Sequence, residues 1–90
     1  MAHVAEHRGK LLTRIRRIGG QVAALEKSLQ SEIDCAAVLT QIAAVRGAVQ
    51  GLMMEVLDDH LHEHVVGEPN RKVRAKEMAI VTALMRTYVR

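Results

Sequence analysis

Aromatic residues are almost absent from this sequence: Tyr88 is the one aromatic side chain, with no phenylalanine and no tryptophan. A core without aromatics is built from aliphatic side chains and alanine, and hydrophobic residues make up 49% of the 90-residue chain. This composition favours closely packed helices over a β-sandwich or barrel. It also argues against an RRM or an OB-fold, because those folds stack bases on aromatic side chains.

Proline and cysteine are equally scarce. Pro69 is the one proline, so long uninterrupted helices are expected. Cys35 is the one cysteine, which excludes an internal disulfide and predicts a free thiol in a reducing compartment. There is no apolar segment of a secretory signal, and no apolar run approaches the roughly 20 residues that span a bilayer. We therefore expect a cytoplasmic protein with no membrane partner.

The charges are unevenly distributed. Residues 1–30 carry six Lys/Arg against two acids, and residues 69–90 carry six against one. Residues 31–68 hold seven acids and one base. Two basic ends around an acidic middle predict different partners for different faces, with a polyanion such as nucleic acid on the basic ones. Solvated charge on long helices is the simpler alternative.

Apolar residues recur at helical spacing in three segments, which predicts three helices. Helix one is expected from about residue 5 to 29 and helix two from about 34 to 65, with Gly67 as its C-cap. Asn70 is the expected N-cap of helix three. The two long apolar seams are Leu11, Ile15, Ile18, Val22, Leu25 and Leu29 on helix one, and Val38, Ile42, Val45, Val49, Leu52 and Val56 on helix two.

Helix two, at about 45 Å for its length, is too long to be covered by the other two helices of the same chain. Its extra apolar surface needs a partner, and a second copy of the same helix provides one. We expect residues 1–90 to form a single all-α domain, a three-helix protomer that pairs as an antiparallel helical dimer. Gly47 and Gly51, one turn apart on helix two, are expected to serve helix packing.

Histidines cluster near the end of helix two. His60 and His64 lie one turn apart and face the same way, which is typical of a metal-binding pair, whereas His62 points to nearly the opposite side. The alternative is that they are solvated and complement the helix dipole. His7 has no evident partner and is assigned to the surface.

Cys35 and His64 lie near opposite ends of one long helix and cannot meet within one chain. In an antiparallel dimer, however, Cys35 of one protomer falls beside His60 and His64 of the other. His3, next to the α-amine that removal of the initiator methionine exposes at Ala2, adds nitrogen donors. Nickel(II), cobalt(II) and zinc(II) suit such a set, and spare coordination positions favour nickel and cobalt. A buried, inert Cys35 is the alternative.

The basic surface predicts contacts with DNA phosphates, and its contribution is expected to fall with salt. Arg14 and Arg17 share a face of helix one. No helix-turn-helix is recognisable, so backbone shape is expected to matter as much as base edges. The expected DNA-binding residues are Lys10, Arg14, Arg16 and Arg17 on helix one and Arg46 on helix two.

Two stretches resemble the signatures of a known family. They are TRIRRIGGQV, which starts at Thr13, and CAAVLTQIAAVRGAVQGLM, which starts at Cys35. The chain resembles the small all-helical bacterial repressors that sense metals and stress, typified by the copper-sensitive operon repressor. The resemblance implies a disc-shaped tetramer that binds operator DNA when ligand-free. Effector binding at the dimer interface would release the DNA and derepress an efflux or detoxification gene.

The resemblance also indicates the effector. Cys35, His60 and His64 match the interface ligands, with histidine in place of the last cysteine of the copper branch. Together with His3, the set is similar to that of the nickel/cobalt-responsive branch, which disfavours copper. Zinc remains a compatible ion.

Three alternatives stay open. In the formaldehyde-responsive branch, a methylene bridges Cys35 to the α-amine of residue 2, but that branch typically has proline there and lacks His64. Ala2 and His64 therefore favour metal. A metal carrier or storage protein without a DNA role would leave the basic stripe without purpose. An enzyme is not expected, because no oxyanion donors, Gly-rich loop or substrate cleft are recognisable.

Overall fold

A computed structural model describes residues 7–31 and 34–88, and most of these residues are helical. The helices are α1 (Arg8–Leu29), α2 (Cys35–Leu61) and α3 (Arg71–Tyr88), and a π-helical turn, His62–Val66, continues α2. The described ranges contain no strand. The predicted all-α class and the three helices are confirmed. The predicted start of helix one at about residue 5 lies outside the described residues.

Both predicted caps between α2 and α3 are present. The Asn70 side-chain oxygen accepts hydrogen bonds from the backbone N–H of Lys72 at 3.0 Å and of Val73 at 3.1 Å. Gly67 closes the π turn by donating its N–H to the carbonyl of His62 at 2.9 Å. Its φ of −84° suits any residue. What favours glycine is space, because a Cβ there would lie 3.1 Å from the His62 carbonyl oxygen.

The chain divides into two compact units. The first, the hairpin unit, is Gly9–Leu52. In it α1 and the first part of α2 run antiparallel: Gln41 Nε2 donates a hydrogen bond to Ser28 Oγ at 3.1 Å, and Arg14 lies against Gly51. The contact of Arg14 with Gly51 brings the start of the first signature stretch against the second.

The second unit, the C-terminal unit, comprises residues 7–8 and 53–88 of the described chain. It contains the end of α2, the π turn and α3. Arg74 donates from its guanidinium to the carbonyl of Glu68 at 2.9 Å, which ties α3 to the loop before it. Leu57 and Val81 are its buried apolar side chains. Two of the candidate effector ligands, His60 and His64, lie here.

Each predicted seam in the hairpin unit is only half covered. On α1 every second seam residue is buried or half-buried, namely Leu11, Ile18 and Leu25. The alternating seam residues Ile15, Val22 and Leu29 are exposed. On α2 the half-buried set is Val38, Val45 and Leu52, and the exposed set is Ile42 and Val49. This division is typical of coiled-coil packing, in which alternate positions meet different neighbours.

Few apolar side chains are buried in the single chain. Among the described residues they are Leu11, Leu57 and Val81, whereas Leu29 is 63% exposed and Leu39 61% exposed. A domain of this composition normally hides far more apolar surface, because that burial is the main favourable contribution to folding. The exposed seams are therefore the surface that a partner would cover.

One helix among the described residues is long and apolar enough, by length and composition alone, to cross a membrane. It is the 32-residue segment Cys35–Val66. Alanine and valine between its few polar residues raise the average hydropathy without forming a continuous apolar run. Core helices of soluble proteins share this length and composition.

Candidate effector site and DNA-contact residues

His60, in the last turn of α2, is held by α3. Its Nε2 lies 3.0 Å from Oε2 of Glu77, and about a quarter of each side chain is exposed. A carboxylate on one ring nitrogen fixes the orientation of the imidazole and leaves the other nitrogen, Nδ1, for a ligand. This is the arrangement that most metal-binding histidines have. Glu77 was not among the residues predicted for the site, since it lies 17 positions from His60.

His64 lies beside His60, as the sequence predicts. The centroids of the two rings are 4.5 Å apart, and the rings are tilted by 37°. His64 belongs to the π turn, so the pair spans the junction between α2 and the widened turn. Single π turns inside helices frequently occur at functional sites. The two imidazoles offer neighbouring nitrogen donors in the C-terminal unit.

His62, which lies between these two histidines in the sequence, contacts Asp58. Its Nε2 lies 3.5 Å from Oδ1 of Asp58, one turn earlier, and both side chains are more than half exposed. Exposed pairs of this kind contribute little to stability. His62 is therefore a suitable control position for the other two histidines.

The remaining predicted donors lie either in the hairpin unit or outside the described residues. Cys35 is the first residue of α2 and carries an exposed free thiol in the hairpin unit. His3 and Ala2 lie outside the described residues. Residues 7–31 and 34–88 contain no group of three or more His, Cys, Asp and Glu side chains that could hold a metal ion. In the described part of the C-terminal unit, the imidazoles of His60 and His64 are an adjacent pair of nitrogen donors.

His7 is not a simple surface residue, which corrects its assignment from sequence. Its Nδ1 lies 3.1 Å from Oδ1 and 3.3 Å from Oδ2 of Asp59, and the Asp59 side chain is only 5% exposed. A buried carboxylate is costly without a hydrogen-bonding partner, so His7 compensates Asp59. The contact ties the residue before α1 to the residue before His60. Sequence spacing gives no signal for it, because the two residues are 52 positions apart in the chain.

The predicted DNA-contact residues form two groups by exposure. Lys10, Arg16 and Arg17 on α1 and Arg46 on α2 are exposed, as phosphate-binding side chains should be. Arg14 is half-buried. Its Nη2 lies 2.7 Å from the point that a Cβ at residue 51 would occupy, so Gly51 provides the space for the guanidinium.

Comparisons with known proteins agree with the sequence and the fold. The family model described as "metal-sensitive transcriptional repressor" matches residues 7–87. The transcriptional repressors RcnR of Escherichia coli strain K12 and of Shigella flexneri serotype 5b are each 43% identical over 90 residues, which is 100% of this chain and of theirs.

One solved structure is similar in both sequence and fold. It is a variant of the formaldehyde-responsive regulator FrmR from Salmonella enterica serovar Typhimurium in which a glutamate is replaced by histidine. The TM-score is 0.82 at 50% sequence identity, over 93% of this chain and 96% of that one. The matching family is thus described as metal-sensitive, and the similar solved structure as formaldehyde-responsive.

Proposed function

This chain belongs to the metal-sensitive transcriptional repressor family, whose members are not enzymes, and from that membership we propose a specific activity for it. The ligand-free protein binds operator DNA in the bacterial cytoplasm. Nickel(II) or cobalt(II) releases it and so derepresses a gene for metal efflux. Zinc is a further ion that the same donors accept.

The observation that carries this proposal is the pairing of His60 and His64. Their rings are adjacent, at 4.5 Å between centroids, and Glu77 orients one of them. Two imidazoles one turn apart on a helix are a common pair of ligands, and the carboxylate behind one of them fixes the orientation of its ring. Nickel(II) and cobalt(II) supply a centre that accepts lone pairs from imidazole, amine and thiolate together.

Cys35 and His3 complete the proposed donor set from a second protomer and from the N-terminus. Cys35 begins α2 and His60 lies in its last turn. An antiparallel pair of α2 helices therefore places the Cys35 end of one copy at the His60 end of the other. The exposed thiol of Cys35 suits this role better than that of a buried packing residue.

The exposed seams support the same assembly. Ile15, Val22, Ile42 and Val49 are all more than 40% exposed in the single chain. A second copy that lays the same surface against them covers apolar side chains on both sides of a two-fold axis. We propose this antiparallel dimer as the minimal unit and a disc-shaped tetramer as the complete repressor.

DNA binding and effector binding are then linked through the assembly. Lys10, Arg14, Arg16, Arg17 and Arg46 from several protomers face one duplex, so their spacing depends on how the protomers are arranged. Effector donors shared between protomers depend on the same arrangement. An effector that favours one arrangement and DNA that favours another exclude each other by linkage.

Replacing Cys35 tests the proposal. In Cys35→Ala, nickel is expected not to release the operator, whereas DNA binding without metal stays within a few-fold of the wild type. His62→Ala is the matched control, since His62 is exposed and contacts Asp58. Full release of Cys35→Ala by nickel would contradict the proposed site.

A formaldehyde response is the second candidate, favoured by the structural similarity to a formaldehyde-responsive regulator. One formaldehyde would condense with the Cys35 thiol and the α-amine of Ala2, leaving a methylene between sulfur and nitrogen and releasing one water. Residues added before Ala2 would remove that amine. Loss of an aldehyde response in the extended protein would support this candidate, and its persistence would exclude it.

A further inference from the structure

Gly51 differs from the other glycines within the described helices. At Gly9, Gly19, Gly20 and Gly47 an added Cβ would meet nothing within 4 Å. At Gly51 it would lie 2.7 Å from Nη2 and 3.8 Å from Cζ of Arg14. The absence of a side chain at Gly51 thus leaves space that the Arg14 guanidinium occupies.

Arg14 differs in exposure from the other predicted DNA-binding residues of α1. Arg14 is half-buried, whereas Lys10, Arg16 and Arg17 are exposed. An arginine side chain has many rotamers in water, and binding a phosphate requires most of them to be given up. A guanidinium already held against α2 gives up less of that freedom on binding, so its contact with DNA is stronger.

We propose that Gly51 is a positioning residue for DNA binding: it holds the Arg14 guanidinium in the orientation that meets the operator. The inference rests on the proposed role of Arg14 as a DNA contact. Gly51 itself touches no DNA. Gly47 and Gly51 were both expected to serve helix packing, but their surroundings differ. Gly47 faces open space in the single chain, and Gly51 accommodates the Arg14 side chain.

The geometry also indicates what a substitution would do. The atom that collides with a Cβ at residue 51 is the far end of a flexible side chain, so the guanidinium moves and the backbone does not. Alanine is also the better helix former at a helix interior. Gly51→Ala should therefore fold normally and differ from the wild type chiefly in the position of Arg14.

The experiment compares Gly51→Ala with Gly47→Ala, a matched control one turn away on the same helix where an added Cβ meets nothing. The probe is duplex DNA from upstream of the protein's own gene. Affinity is measured by fluorescence anisotropy over a series of salt concentrations, and folding by circular dichroism and gel filtration. Gly47→Ala should bind as the wild type does.

Gly51→Ala is expected to bind about tenfold more weakly, the low end of what a hydrogen bond to a charged group contributes. The slope of log K against log salt should fall by about one for each Arg14 that the operator engages. A weaker affinity with an unchanged slope would overturn the inference, because it would indicate a packing defect. So would a misfolded Gly51→Ala, or one that binds as tightly as the wild type.

A double-mutant cycle separates this inference from the proposed function. If Gly51 acts through Arg14, Gly51→Ala should have no further effect in an Arg14→Ala background. If Arg14→Ala alone leaves DNA binding unchanged, the DNA-contact role of Arg14 fails and the inference fails with it. If Arg14→Ala weakens binding but the two effects add, the inference alone is overturned.

Discussion

His60 and Glu77 join the end of α2 to α3 through a contact of 3.0 Å between Nε2 and Oε2. The contact settles which nitrogen of His60 faces protein and which is left to serve as a ligand. It also makes the third helix part of the candidate effector site, although α3 supplies none of the proposed donors. A movement of His60 toward a ligand would therefore change its contact with Glu77 on α3.

Removing the carboxylate should weaken the site without removing a ligand. In Glu77→Gln, nickel affinity is expected to fall by about 10- to 100-fold, because the orienting carboxylate no longer supports the imidazole. Competition with a chelator of known affinity measures this. Glu26→Gln, an exposed acid on α1, controls for the lost charge and should bind nickel as the wild type does.

His64 should distinguish the two effectors. His64→Ala is expected to lose nickel-induced release because it removes one of the two adjacent imidazoles. A thiol–amine bridge needs no residue at this position, so a formaldehyde response would survive. Operator release is measured with each effector separately, and His62→Ala should behave as the wild type does. Equal nickel responses of His64→Ala and the wild type would exclude His64 as a ligand.

The buried pair of His7 and Asp59 should contribute to stability. His7→Ala leaves the Asp59 carboxylate buried without this partner, at a cost of about 1–3 kcal/mol in the free energy of unfolding. Thermal unfolding should show a lower Tm, at constant protein concentration because assembly also affects Tm. In the Asp59→Ala background, His7→Ala should cost much less. If His7→Ala lowered the free energy of unfolding equally in the wild type and in Asp59→Ala, the contact with Asp59 would not be the source of the lost stability.

The exposed half of the seams should hold the assembly together. Val49→Asp places a charge on the exposed row of α2, where a second copy is proposed to pack, and burial of an unpaired charge is strongly unfavourable. Light scattering after gel filtration should show a smaller species or unfolded chain. Thr40→Asp, exposed but off the seam, should keep the mass of the wild type. A wild-type mass for Val49→Asp would place the interface elsewhere.

Helix periodicity and caps were readable from the sequence because they depend on neighbours along the chain. The Asn70 cap and the shared face of His60 and His64 are of this kind. The contacts of Glu77 with His60 and of Asp59 with His7 were not predicted, since each joins segments far apart in the sequence and depends on how they pack. The seams were identified as apolar, but which alternate residues face solvent is fixed by the neighbour that each row meets.

The most direct test of the account is operator release by the purified, reduced protein with nickel, cobalt, copper(I), zinc and formaldehyde added separately. DNA from upstream of its own gene serves as the probe. The account predicts release by nickel and cobalt at metal concentrations where copper(I) and formaldehyde leave the complex intact. Release by formaldehyde with no response to nickel or cobalt would contradict it and assign Cys35 to the aldehyde chemistry instead.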